Sequence, residues 1–307
     1  MAKKPARAHH YLPQFYLAGF TLSGDRNGTL WVLDREQGKS WQTRPDNIAH
    51  QRDFYRVDIE GVEPDAVEKL LAQFEGQAAE VLRRIEETRI LPEGEDFDTL
   101  MNFVALQITR VPHFRQWYVG QAAYLTECKA QIALGDPAYF DQFLAEMRRE
   151  GKEVPEFITR KELMEFLEDK SRYTIEIPRE ASIKNMAEMV QGLLPVLSQR
   201  SWSLFVARED QGEFVCSDRP VILVPTRQNP PPFLGFGMRH TEIIMPLNRQ
   251  MALVGHYLGE PQVFDADRMV VGLFNKRILD YSERFVYSPR EWFTVSAPRD
   301  GQEEAGT

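Results

Sequence analysis

The chain has 307 residues, 43% hydrophobic and 27% charged, which suffices for a sizeable core in one large domain or two modest ones and excludes global disorder. A formal charge of -9 argues against a non-specific nucleic-acid binder, because such proteins carry at least one strongly basic face. Two cysteines, Cys128 and Cys216, form neither a zinc cage nor a disulfide framework and fit a reducing compartment.

The first residues, Met1 to Arg7, are basic but lead into histidines rather than into the apolar core of a signal peptide. No run approaches the ~18 apolar residues of a membrane span. These readings predict a cytoplasmic protein with no membrane contact.

His9-His10-Tyr11-Leu12-Pro13-Gln14-Phe15-Tyr16-Leu17-Ala18-Gly19-Phe20 runs two histidines into a dense aromatic stretch. Chain ends are usually polar and frayed, so an end this apolar is expected to be tied into the core. Three strands follow in the pattern: Leu30-Asp34, then Ser40-Thr43 across the turn at Glu36-Lys39, then Phe54-Val57.

The middle is helical. From Pro64 to Thr88, Val67, Leu70, Leu71, Phe74, Ala78, Val81, Leu82 and Ile85 recur at three-and-four spacing. Phe97 to Val111 is apolar on several sides and is expected to be central, with Pro112 ending or kinking it. His113 to Leu134 continues as helix. Residues 137–170 read as shorter charged helices around Gly151-Lys152-Glu153-Val154-Pro155, the least core-like stretch, and Pro178 to Ser198 is another long helix.

Strands return after Trp202: Ser203-Ala207, Glu213-Cys216, Val221-Val224, Ile243-Met245, Met251-Val254 and, after a helix from Asp265 to Arg284, Phe285-Tyr287. The expected architecture is α+β, with a mixed or antiparallel sheet built from N- and C-terminal strands around a helical middle region. Residues 1–296 are read as a single domain with a helical insertion at about 137–177, and 297–307 as a disordered tail.

No phosphate loop, dinucleotide fingerprint, nucleophile elbow or paired-histidine metalloprotease helix is present. Gln107 and Arg110 lie three apart on an otherwise apolar helix and are expected to point into protein. A buried arginine needs an anionic partner, and Asp218, in a Ser-Asp-x-Pro turn after an apolar strand, is the candidate. Of the two histidines, which face opposite ways if extended, His10 is chosen as the one facing a site. Arg115 adds a second cation, and Asn275 is a polar residue on the mainly apolar last helix. Cys216 reads as a core thiol and Ser217 as a turn-forming hydroxyl.

Four segments resemble, in order and spacing, the bacterial family called domain of unknown function 4238. They are His9 to Phe20, Phe103 to Arg115, Phe214 to Val221, and Met245-Pro246-Leu247 with Asn275 to Tyr287. The resemblance runs to about Pro289 and carries no activity with it. Arg219 stands where the family usually has asparagine before the proline.

One reading gathers His10 and Asp218 as catalytic groups with Gln107, Arg110, Arg115 and Asn275 as substrate-binding groups in a cleft between sheet and central helix. Its reaction class is hydrolysis or transfer on an anionic substrate such as a phosphate ester or nucleotide. The alternative keeps the cleft without chemistry, in a defence-associated or accessory protein that binds an anionic ligand or partner. A third makes these residues an internal network that fixes the fold. Nucleic acid is disfavoured by the net charge, no metal site is expected, and cofactor and oligomeric state are not read from the chain.

Overall fold

A computed structural model describes residues 7–153 and 159–296. In chain order its elements are β1 (Ala8–His10), α1 (Gln14–Ala18), β2 (Leu30–Asp34), β3 (Lys39–Thr43), β4 (His50–Arg52), α2 (Ala66–Thr88) and α3 (Gly94–Thr109). Then come α4 (Pro112–Gly135), α5 (Pro137–Arg149), α6 (Arg160–Glu168) and α7 (Arg179–Ser198). The remainder is β5 (Ser201–Ala207), β6 (Cys216–Ser217), β7 (Ile222–Pro225), β8 (Thr241–Asn248), β9 (Met251–His256), β10 (Val263–Ala266), α8 (Arg268–Tyr281) and β11 (Phe285–Ser288). The fold is α+β. No helix among the described residues is long and apolar enough to cross a membrane.

The chain divides into two compact units, one of Met1–Phe114 with Met186–Thr307 and the other Arg115–Asn185. The helical segment expected at 137–177 falls within the second unit. The expected disordered tail lies outside the described residues, as do Val154 and Pro155.

In the first unit, the strands from both ends of the chain meet as expected: β3-β2-β11-β6 form an antiparallel sheet, with Val32 opposite Tyr287 and Leu33 opposite Val286. A second sheet, β10-β5-β9-β8-β7, draws only on the C-terminal part and is antiparallel except where β10 runs parallel to β5. Apart from the exposed edge strand β10, its strands are largely apolar because both of their faces are buried. Ile243, Met245 and Leu253 join the larger core cluster with α1, α2 and α3, while Ile244, Ala252 and Val254 join a second cluster with Val271, Phe274 and Ile278 of α8.

Three expected elements differ. Phe54–Val57 is not a strand: pairing ends at Arg52, Asp53 takes a left-handed φ of 55°, and the Tyr55 N–H donates to the His9 side chain instead of to a ladder. Glu213–Cys216 shrinks to β6 because the Val215 N–H is taken by Asn275. The expected helix from Asp265 begins only at Arg268, after Asp267 caps the Val270 N–H at 2.9 Å, and the residues before it form β10.

The aromatic N-terminal stretch is ordered and mostly buried, as expected. The Tyr16 ring lies 5.9 Å from Phe103 and 5.3 Å from Phe20, and its hydroxyl donates to the Pro246 carbonyl of β8 at 2.6 Å. Gly19 follows at a close approach, where an added Cβ would sit 2.8 Å from Asn248 Cβ.

In the second unit, Asp136 caps α5, Thr159 and Glu162 form a capping box that opens α6, and Lys170 and Tyr173 both bind Glu127 of α4 at 2.7 and 3.0 Å.

Phe20 is fully buried in the core. Phe20→Ala is expected to destabilise by about 3–5 kcal/mol, measured by denaturant unfolding, through lost burial and the cavity left behind.

Candidate active site

A pocket of about 210 Å³ in the first unit is lined by His10, Gln14, Arg26, Tyr55, Glu68, Leu71, Ala72, Glu75 and Arg110. Each wall has a local cause. β1 carries His10 beside the start of α1. The turn after β4 presents Tyr55. α2 offers Glu68, Leu71, Ala72 and Glu75, spaced by three, four and seven and therefore on one face.

Arg110 is the C-cap of α3 and only 3% exposed. Its Nη1 donates to Glu75 at 2.9 Å, its Nη2 to the His10 carbonyl at 2.8 Å, and its Nε to the Tyr55 hydroxyl at 3.3 Å. The Tyr55 hydroxyl in turn donates to the Arg110 carbonyl at 3.1 Å. Burial opposes the guanidinium charge, but Tyr55 and Glu75 outweigh it and hold the group protonated beyond its usual range. The predicted burial of Arg110 therefore holds, while the predicted partner does not. The carboxylate is Glu75, because α2 packs against α3 where sequence distance gives no hint of it.

His9 and His10 separate as the strand geometry requires. His9 is buried, and its Nδ1 accepts the Tyr55 N–H at 2.9 Å. That fixes the hydrogen on Nε2, which donates to Glu68 at 3.0 Å. Burial raises the Glu68 carboxyl above the ordinary value; His9 opposes this, and Asp65 and Glu75 add to it. His10 is half-buried, with its ring centroid 5.2 Å from that of His50. Burial, then His50 and Arg110, push its pKa down to about 4, so the imidazole in the pocket is neutral near pH 7. Arg26 is exposed on the same pocket and has no hydrogen bond or ion pair among the described residues.

The structure thus brings together His10 and Arg110 of the sequence-predicted set, and places the others elsewhere. Asp218 accepts three backbone N–H bonds, from Glu283, Arg284 and Phe285 at 3.0, 2.8 and 2.9 Å, and so anchors the start of β11. Burial raises its pKa against these three donors. Asn275 on α8 accepts from the Val215 N–H and donates to the Glu213 and Thr294 carbonyls. Gln107 is fully buried on α3, and neither amide atom has a hydrogen-bond partner among the described residues. Arg115 is half-exposed on α4 in the second unit. Cys216 is a core thiol pushed up by burial, and the Ser217 hydroxyl forms a turn with Arg219, both as expected.

Sequence reasoning missed Glu68, Glu75, Tyr55, Gln14 and Arg26. The available signal was the pair of carboxylates seven apart on α2, flanking Leu71 close to the apolar stripe. Among the described residues, no group of three or more histidines, cysteines or carboxylates comes together that could hold a metal ion.

Two outcomes test these assignments. Asp218→Ala leaves three N–H donors without their acceptor and is expected to cost about 3–5 kcal/mol in denaturant unfolding. For His10, the unfolded chain binds a proton near pH 6.5 and the folded chain only near pH 4. Its contribution to stability is therefore full above about pH 6.5 and lost as pH falls toward 4. The drop in melting temperature between pH 7 and pH 4.5 should be smaller in His10→Asn than in the unsubstituted protein.

The family model described as Protein of unknown function (DUF4238) matches residues 8–291. No curated protein and no solved structure matches the chain.

Proposed function

The chain belongs to the DUF4238 family, and from the geometry of its first-unit pocket we propose that it is a hydrolase in which Glu68 takes a proton from the attacking water. One observation carries the reading: a carboxylate on a pocket wall, held at one oxygen by buried His9 and raised in pKa by burial. A carboxylate tuned upward is a stronger base when ionised, and an oriented one is ready to act. As the ester bond to the leaving oxygen breaks, Glu68 returns that proton to the departing oxygen, and His10 supplies a neutral imidazole that can hydrogen-bond to the substrate.

The balance of charges in the pocket narrows the substrate. Arg110 has its charge matched by Glu75, so it shapes the pocket rather than clamping an anion. Arg26 is the cation left to hold a phosphate or carboxylate group, which favours a small anionic ester, phosphate esters included. A second reading, non-catalytic recognition of an anionic ligand, is supported by Arg26 alone.

Hydrolysis of p-nitrophenyl phosphate, its phosphodiester and p-nitrophenyl acetate tests the proposal. Glu68→Gln should lower kcat by about a hundredfold or more. Because the folded pKa of Glu68 lies above the unfolded one, its contribution to stability is full below about pH 4.5 and lost as pH rises through the folded value. The glutamine variant should therefore keep or raise the melting temperature at pH 7. An undiminished rate in this variant overturns the role of Glu68. Phosphate-ester binding that Arg26→Ala abolishes, without turnover in the unsubstituted protein, supports the second reading.

A further inference from the structure

A second cavity in the first unit, about 340 Å³, meets the pocket above at Arg26, which lines both. Its size falls within the range of small-molecule sites. Phe15 and Ala18 of α1, Ala79 and Leu82 of α2, Leu247 of β8 and Met251 of β9 give it apolar walls.

One polar side chain on these walls is short of a partner. Asn248 is only 6% exposed, and its Oδ1 accepts the Gln250 and Met251 N–H groups at 2.8 and 2.9 Å, which fixes the orientation of the amide. Its Nδ2 hydrogens then have no acceptor among the described residues, and the nitrogen keeps contact with solvent. A buried amide normally has its acceptors, so an acceptor is what this wall lacks. The Tyr16 hydroxyl on the same cavity is already given to the Pro246 carbonyl at 2.6 Å.

The charges around the cavity decide which acceptor fits. Arg83 pairs with Glu80 at 2.9 Å and Glu87 at 2.6 Å, while Asp25 and Glu86 are exposed carboxylates. Arg26, where the two cavities meet, is the cation without a partner. An anionic group therefore belongs at Arg26, and what lies against Asn248 and the apolar walls is neutral. A neutral, apolar group with one strong acceptor is an acyl group.

We propose that this cavity is the acyl subsite of an amphipathic phosphate ester. The chain lies against Leu82, Leu247 and Met251, its carbonyl oxygen accepts from Asn248 Nδ2, and its phosphate sits on Arg26 facing the first pocket. The assignment rests on Arg26 as the holder of the substrate's anionic group.

Calorimetric titration of the full chain with phosphonates, whose P–C bond is not hydrolysed, tests it without turnover. (2-Octanamidoethyl)phosphonate should bind at least about tenfold more tightly than its acetamido counterpart, because only the longer chain fills the cavity. Half-buried Ala79 lines the cavity, and Ala79→Phe should fill it and erase that preference. In Asn248→Asp the side chain still accepts the Gln250 and Met251 N–H groups but no longer donates. It should weaken the octanamide by about tenfold and undecylphosphonate, which has no carbonyl, by clearly less. Equal affinity for the two amides, a preference that survives Ala79→Phe, or equal losses in Asn248→Asp would each overturn the acyl subsite. Turnover of p-nitrophenyl phosphate with equal affinity for the amides removes the subsite alone. Octanamide preference without turnover supports the subsite and removes the hydrolase reading. No binding of either amide at millimolar concentration removes the subsite together with the role of Arg26.

Discussion

The buried guanidinium of Arg110 is the constraint on which the N-terminal half depends. A charge this deep is costly, and here a carboxylate and acceptors for the other donors offset the cost. Glu75 supplies the first; the His10 carbonyl and the Tyr55 hydroxyl supply the others. One side chain thereby fixes three segments against the end of α3: the first strand, the turn after β4, and α2. Once Glu75 is fixed, the register of α2 is fixed, and Glu68 two turns earlier must face the same pocket.

The electrostatics of the pocket follow from this packing. Burial acts on both titratable groups in the direction of neutrality, raising the Glu68 carboxyl and lowering the His10 imidazole. His9 then holds Glu68 by one oxygen while its own second nitrogen is committed to the Tyr55 N–H. The burial and the orientation of the Glu68 carboxylate thus come from the same few contacts.

Several side chains that look chemical in the sequence serve the backbone instead. Asp218 receives three N–H groups at the start of β11, and Asn275 bonds two segments, 213–215 and Thr294, to α8. Irregular segments buried beside a sheet leave N–H and C=O groups that no ladder satisfies, and short polar side chains are the means of satisfying them. Their presence in the strongest motifs of the chain reflects that demand.

Local pattern determined much of the architecture. Periodic and apolar patterning located α2, α3 and α7, and apolar runs located most strands of the two larger sheets but not β10, because burial of a helix stripe or a strand face is written in residues close together in sequence. The pairing of β2 with β3, and a sheet that joins strands from both ends of the chain, were also legible there; the place of β11 beside β2 was not. The buried state of Arg110 was legible from its apolar helix. Its partner was not, since Glu75 and Asp218 are equally plausible carboxylates until α2 is seen lying against α3. The same holds for Glu68 and Arg26, whose neighbours come from segments far apart in the chain. Sequence determined most of the buried apolar stripes, though not all of them, since Leu70 of α2 is exposed; only tertiary packing decided which charges meet, because a charge pair depends on distances between elements that no local period encodes.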